Sequence, residues 1–303
     1  MLTSTRRGFL GSGLALGAGL ALAPASAPLL AIGPIRRAGK ASLKLSLAAY
    51  SYNRHMALRG KTPPTMTLED FIDLGAKLDL TALELTAYYF PKTSADYLKS
   101  IKGRCDKLGI AVSGTAVGND FCDPDEKKQA EQLDAVKRWV ERSAALGAKT
   151  MRIFAGTLRK GDTEDEARKR AVDLIHQACD HAAKSKVILA LENHGGITAT
   201  ADQFLAIVGA VKHDWFGVNL DTANFHTPDP YADLARAAPY AVVVQLKTEV
   251  FPNNEREAAD LKRLADLLRK ATFQGYVALE YEAAEDPRTA VPKALAELKK
   301  VMG

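Results

Sequence analysis

The amino-acid sequence predicts a single (β/α)8 TIM barrel preceded by a cleavable export signal. About 260 residues follow the first 40, which is the usual length of one such barrel. Along this stretch, short apolar runs alternate with amphipathic helical patterns, as a parallel α/β fold requires. Several runs also end abruptly in a polar residue and a loop, and barrels of this kind carry their chemistry at that end of their strands.

Residues 1–40 are predicted to be a twin-arginine export signal and linker. Thr5-Arg6-Arg7-Gly8-Phe9-Leu10 precedes an apolar Gly/Ala/Leu run that ends at Ala23, and this order is typical of a charged n-region and an h-region. The run is short and glycine-rich for a spanning helix, which favours export over a membrane anchor. Ala25-Ser26-Ala27 suits a cleavage site, although Pro28 is unfavourable after it. We therefore expect folded export to the periplasm or beyond, through the twin-arginine translocation machinery, and no stable membrane span after cleavage.

The barrel itself is predicted to be almost uncharged overall. The chain is formally +5, and the first 40 residues hold five basic residues and no acid. The remainder has no basic footprint, so a nucleic-acid partner is not expected. The three cysteines form no Cys-x-x-Cys pair, and we expect buried free thiols rather than a disulfide. The five basic residues are Arg6, Arg7, Arg36, Arg37 and Lys40.

The predicted elements alternate through residues 41–303, which contain no linker-like stretch and are assigned to one domain. A helix is predicted to follow the capping residue Thr67, and three more to cover Asp125–Leu146, Glu164–Lys184 and Glu255–Lys270. The predicted strands are Leu43–Ala49, Ala82–Thr86, Ile110–Val117, Thr150–Ala155, Val187–Glu192, Phe216–Asp221, Ala241–Lys247 and Tyr276–Glu282.

Four consecutive predicted strands end in a side chain that carries an oxygen ligand. These residues are Glu192, Asp221, Gln245 and Glu280. The carboxyl ends of adjacent parallel strands meet at one mouth of the barrel. The pattern therefore predicts that the four side chains converge on one metal ion. Taken singly, each acid is equally compatible with a helix cap or an ion pair.

Several motifs carry a resemblance to a known family. The chain resembles the xylose-isomerase-like TIM-barrel superfamily, in its sugar phosphate isomerase/epimerase branch, over residues 43–303. The motifs, in order, are Ala-Tyr-Tyr-Phe-Pro (87–91), Leu-Glu-Asn-His-Gly-Gly (191–196), Asn-Leu-Asp-Thr-Ala-Asn-Phe (219–225), Asp-Pro-Tyr (229–231), Val-Gln-Leu-Lys-Thr-Glu (244–249) and Leu-Glu-Tyr-Glu (279–282).

The resemblance implies a divalent metal held by Glu192, Asp221, Gln245 and Glu280, in agreement with the pattern of strand ends. Gln245 stands where the family more commonly has histidine, so the donor set is all oxygen. Such a set suits Mn²⁺ or Mg²⁺ better than Zn²⁺. The resemblance to ketose epimerases also implies that Glu192 and Glu280 take and return a carbon-bound proton.

Other polar residues near the strand ends are candidate substrate contacts. His194 follows Glu192 on the loop side. Lys247 is expected to face the same way as Gln245 by strand alternation and either to neutralise an oxyanion or to be a solvated or ion-paired lysine. Arg152 and Glu84 are charges in apolar strands, so they belong either to the site or to each other as an ion pair. His226 and Tyr50 complete the substrate-binding candidates, with loop packing as the plain alternative.

The sequence therefore predicts a metal-dependent sugar isomerase or epimerase that abstracts a proton next to a carbonyl and forms an enediolate. The loops after strands seven and eight are acidic and lack glycine, which argues against a phosphorylated substrate and favours a neutral sugar or keto-sugar. Two alternatives stay open, a metal-dependent lyase or hydrolase of keto-glycosides and a non-catalytic exported sugar-binding protein. A homo-oligomer is also left open.

Overall fold

Eight parallel strands form a closed barrel in the computed structural model, which describes residues 33–59 and 62–303. Each strand pairs with its neighbour in the chain, and the first pairs with the last. The predicted barrel is confirmed, and its polar strand ends all open at one mouth. The strands are β1 (Ser42–Ala48), β2 (Ala82–Thr86), β3 (Ala111–Ala116), β4 (Thr150–Ile153), β5 (Ile188–Glu192), β6 (Phe216–Asp221), β7 (Ala241–Leu246) and β8 (Gln274–Leu279).

In the described residues, eight helices of eight residues or more surround the barrel, one after each strand, and a four-residue helix (Asn53–Met56) lies in the loop after β1. Threonine caps begin three of them, and at the first of these the Asp70 backbone N–H donates to Thr67 Oγ1 at 3.1 Å. Such caps satisfy amides that the first helical turn leaves unpaired. The helices are α1 (Leu68–Lys77), α2 (Ala95–Lys107), α3 (Glu126–Ala145), α4 (Glu164–Ser185), α5 (Ala201–Ala210), α6 (Pro230–Ala237), α7 (Leu261–Lys270) and α8 (Pro287–Met302).

The helix predicted over Glu255–Lys270 is wrong in its first part. Glu257–Ala258 instead pairs antiparallel with Glu249–Val250 in a short hairpin after β7. The helix begins at Leu261 because the Asp260 side chain caps it by accepting from the Arg263 N–H at 2.8 Å. A polar stretch next to a good cap cannot be separated from the helix by periodicity alone.

The segment before β1 packs on the amino end of the barrel. Ile35 donates its N–H to Pro239 O at 2.9 Å, and the Arg37 guanidinium donates to Ala241 O. The Gln274 amide donates to the carbonyls of Ala38 and Lys40. This part of the expected linker therefore contacts the fold, while residues 1–32 of the predicted signal lie outside the described residues.

The described residues include all three cysteines, and their helices can be examined for a membrane span. Cys105, Cys122 and Cys179 are buried and free, as expected. In residues 33–59 and 62–303, no helix is both long and apolar enough to cross a membrane.

Candidate active site

The four predicted oxygen ligands lie at the carboxyl ends of four adjacent strands. Asp221 pairs in register with Gln245, while Glu192 ends β5 and Glu280 follows β8. The exposed fraction of each residue is 5% or less. The predicted placement on β5 to β8 is therefore confirmed, and the contacts of each side chain decide what the site can do.

Glu192 is held as a carboxylate by three neighbours. Arg152 Nε lies 3.0 Å from Glu192 Oε2, while His194 Nδ1 and Asn224 Nδ2 lie 2.8 and 3.0 Å from Glu192 Oε1. Burial alone would raise the pKa of Glu192, but Arg152, His194 and Lys247 outweigh burial and lower it. Glu192 is consequently ionised, and both of its oxygens are oriented.

Lys247 lies in the centre of the acidic cluster. Its Nζ is 3.1 Å from Asp221 Oδ2, 3.5 Å from Glu280 Oε2 and 2.6 Å from Glu282 Oε2. Burial would lower the pKa of Lys247, but these three carboxylates raise it well above its ordinary value. The ammonium is therefore permanently charged at the base of the mouth.

Gln245 connects two of the acids through its amide nitrogen. Its Nε2 donates to Glu84 Oε1 at 2.9 Å and to Glu280 Oε1 at 3.4 Å, and its Oε1 accepts from Asn219 Nδ2 at 2.6 Å. Carboxylates are acceptors, so an amide that faces two of them presents its NH₂ group. In this arrangement the oxygen that would ligate a metal is bonded to Asn219.

The remaining buried acids hold protons more tightly than in water. Burial raises the pKa of Glu84 to about 7 and that of Asp221 to about 6. Burial also raises the pKa of Glu280 well above its ordinary value, and the carboxylates of Asp221 and Glu192 add to the effect of burial. The pKa values of Glu280 and Glu192 are thus shifted in opposite directions, as suits an acid and a base in one site.

Replacing Glu84 by glutamine is expected to stabilise the protein at pH 8 and to have little effect at pH 5. With a folded pKa near 7 against 4.5 for the free group, the folded protein binds the extra proton between these pH values, so its unfolding free energy falls as pH rises. Glutamine is neutral at every pH, so at pH 8 the unfolding free energy of the variant is expected to exceed that of the wild-type protein by up to about 3 kcal/mol. Urea unfolding at pH 5 and pH 8 measures this difference in unfolding free energy. Glu297→Gln, at an exposed position, is the control. Equal effects of Glu84→Gln at the two pH values would contradict the prediction.

Arg152 and His194 are joined by an aromatic residue that the sequence reasoning did not select. The guanidinium carbon of Arg152 lies 3.9 Å from the ring centroid of Phe154, and the His194 ring stacks on Phe154 at 4.3 Å. The stack holds His194 beside Glu192 while the histidine stays half exposed. Arg152 therefore pairs with Glu192, and the alternative partner Glu84 instead accepts from Gln245.

His226 and Tyr50 lie on two different loops at the carboxyl end of the barrel, after β6 and β1. His226 stacks on Phe251 at 4.6 Å, and its Nδ1 lies 3.2 Å from Asn254 Oδ1, so these contacts join it to the hairpin segment. Tyr50 packs edge-on against Tyr88 at 6.4 Å. Burial raises the pKa of Tyr50, and Glu282 and Glu280 raise it further, which indicates that Tyr50 faces the acidic cluster.

Asn224 and Glu282 are site residues that the sequence reasoning missed. Asn224 Nδ2 contacts Glu192 and its Oδ1 lies 3.5 Å from Lys247 Nζ, so it links the base to the ammonium. Glu282 pairs with Lys247 from the rim. Both lie in motifs already quoted, three residues after Asp221 and two after Glu280, and this spacing was the available signal.

The chemistry of the cluster fits a divalent cation. Four carboxyl groups and two cations are each 6% exposed or less, so the buried cluster contains more acids than bases and offers the oxygen donors that Mn²⁺ or Mg²⁺ prefers. Asp221 Oδ2 is buried and accepts no hydrogen bond, and its cationic neighbour is Lys247. Within the described ranges, however, no three His, Cys, Asp or Glu side chains form a ligand cluster. The four carboxyl groups are Glu84, Glu192, Asp221 and Glu280, and the two cations are Arg152 and Lys247.

The fold matches that of known proteins. A family model described as a xylose isomerase-like TIM barrel matches residues 72–301. The structure resembles D-psicose 3-epimerase from Clostridium cellulolyticum H10, solved with D-tagatose (15% identity, TM-score 0.71, 86% of this chain and 99% of that chain). It also resembles the 3-keto-D-glucoside 4-epimerase of E. coli (17%, 0.67, 86% and 100%) and an IolI protein with a bound zinc atom (22%, 0.68, 85% and 96%).

No curated protein matches the sequence, and at these identities the solved structures support the fold alone. The family model covers most of the chain. The chain therefore belongs to the xylose isomerase-like TIM-barrel family.

Proposed function

We propose that the protein is a divalent-metal-dependent sugar isomerase or epimerase that removes a proton next to a carbonyl. The observation that carries the proposal is the placement of two buried carboxyl groups at one mouth, Glu192 with Arg152 Nε 3.0 Å from its Oε2 and Glu280 with Lys247 Nζ 3.5 Å from its Oε2. An acid and a base at the mouth of one barrel suit transfer of a proton from carbon and its return.

Glu192, Asp221 and Glu280 would hold the cation, with Gln245 as a fourth ligand if its amide turns. When bound, Mn²⁺ or Mg²⁺ would polarise the substrate carbonyl and lower the energy of the enediolate oxygens. The ionised Glu192, oriented by Arg152, takes the proton from carbon. Glu280 carries the proton that is returned, and delivery to the opposite face inverts the carbon, whereas delivery to the neighbouring carbon moves the carbonyl.

The residues around this pair orient the substrate. Lys247 places a permanent positive charge near the developing oxyanion. His194 is fixed through Nδ1 by Glu192, which leaves Nε2 to contact a substrate hydroxyl from the half-exposed ring. Tyr50 offers an aromatic edge from the loop after β1, and His226 contacts the hairpin segment at the rim.

The proposed substrate is a neutral sugar or keto-sugar. Glu249, Glu282, Glu285 and Asp286 lie on the loops after β7 and β8, and their charge disfavours a phosphate group at the position where barrels usually bind one. Two structural neighbours, a D-psicose 3-epimerase and a 3-keto-D-glucoside 4-epimerase, act on sugars named without phosphate, which supports the same class.

We further propose that the folded protein is exported by the twin-arginine machinery. The Arg6-Arg7 pair and the following apolar run support this route. Folded export would let Mn²⁺ or Mg²⁺ enter before the protein meets copper or zinc, which bind such sites more strongly.

Solvent deuterium exchange tests the reaction directly. The exported protein is incubated in D₂O with free hexoses, keto-hexoses and their phosphates, and its metal content is measured in parallel. We expect deuterium at one carbon next to the carbonyl of an unphosphorylated sugar, together with bound manganese or magnesium that a chelator removes along with exchange. Binding without exchange would support a sugar-binding protein, and loss of a substituent with exchange would support a lyase.

A further inference from the structure

A polar cleft of about 130 Å³ lies beside the acidic cluster, between the loops after β1 and β8. Tyr50 and Asn53 line one wall, and Tyr281 and Glu282 line the other. Glu282 also pairs with Lys247 at 2.6 Å, so one side chain borders both the cleft and the catalytic mouth. A group attached to a sugar in the mouth can therefore extend into the cleft.

The walls of the cleft are cross-linked before any ligand binds. Ser51 Oγ donates to Leu279 O at 3.0 Å and accepts from the Tyr281 N–H at 2.9 Å. Arg54 donates through both terminal nitrogens to the carbonyls of Ala283 and Ala284. These bonds join the β1 and β8 loops, and a rigid wall reduces the ordering cost of binding.

The lining suits a hydroxyl-rich unit with an apolar ring face. Tyr50 contributes an aromatic edge and packs against Tyr88, whose exposed fraction is 40%. The Asn53 amide is oriented by the Tyr89 hydroxyl, which donates to its Oδ1 at 3.0 Å. Amide, carboxylate and tyrosine groups are the few placed polar contacts that orient a neutral ligand in such a pocket.

We propose that this cleft is a second subsite, which binds a neutral sugar unit attached to the reacting sugar. The substrate is then a glycoside of the disaccharide type rather than a free monosaccharide. This inference rests on the proposed function for the reacting unit. The new element is the role of the cleft, because a monosaccharide placed over Glu192 and Glu280 does not need to occupy it.

Calorimetric titration with a keto-disaccharide and with the free keto-hexose tests the subsite independently of turnover. We expect the disaccharide to bind the wild-type protein about tenfold more tightly. Ala283 also lines the cleft. Ala283→Phe places a ring there and is expected to remove this difference and to leave the affinity for the free sugar within about twofold. Asn53→Ala removes the amide without adding bulk, and it is expected to reduce the preference for the disaccharide.

Leu158→Phe provides the matched control, because Leu158 lies on the loop after β4 and is 47% exposed. It adds the same ring elsewhere at the mouth and should leave the preference intact. Equal binding of the two sugars by the wild-type protein would overturn the subsite, as would equal weakening of both by Ala283→Phe. Absence of deuterium exchange with either bound sugar would overturn the proposed reaction. The comparison of affinities would still test the subsite, because it does not depend on turnover.

Discussion

Glu280→Gln is expected to lower deuterium exchange into the substrate by about 10²- to 10⁴-fold, the range typical of losing a general acid or base. The amide keeps the size of the side chain and its contact with Gln245, but it cannot carry a transferable proton. Burial raises the pKa of Glu280, and a neutral amide of the same size adds no buried charge to the fold. The measurement is the initial rate of exchange in D₂O at saturating sugar.

Glu285→Gln is the matched control for this change. Glu285 lies five residues further along the same loop, where it pairs with Lys293 at the surface at 2.7 Å. It should retain the wild-type rate, and thermal unfolding should show both variants folded. A Glu280→Gln protein that exchanges at the wild-type rate would remove Glu280 from the proposed reaction.

Lys247→Met is expected to bind Mn²⁺ about tenfold or more tightly than the wild-type protein, a gain of about 1.4 kcal/mol, and yet to react more slowly. The Lys247 ammonium lies within 3.5 Å of both Asp221 and Glu280, so it competes with a divalent cation for these carboxylates. Methionine matches much of its length without the competing charge. The slower reaction follows from the missing positive charge at the oxyanion.

Titration calorimetry with Mn²⁺ measures this competition without reference to activity. Lys293→Met serves as the control, because Lys293 also pairs with a glutamate but is 69% exposed and distant from the proposed ligands. It should not alter metal affinity. Unchanged or weaker Mn²⁺ binding by Lys247→Met would show that the ammonium does not compete with a cation.

The sequence was sufficient to predict the barrel and the strand that each candidate ligand ends. Apolar runs such as 187–191 are buried on both faces, and in a parallel barrel their polar ends lie at one mouth. Glu192, Asp221, Gln245 and Glu280 could be selected because their order along the chain equals their order around the barrel. The helix boundary at Leu261 was harder, since the hairpin before it depends on pairing with another segment.

The contacts between the site residues could be determined only from the tertiary structure. Strand alternation places Lys247 and Gln245 on the same face, but it does not show that the ammonium lies between Asp221 and Glu280 or that the amide nitrogen faces Glu84. Nor does it show that Arg152 pairs with Glu192. Periodicity specifies the direction of a side chain from its own strand, whereas its partner, and hence its charge and pKa, depends on neighbours up to 161 residues away in the chain, as for Gln245 and Glu84.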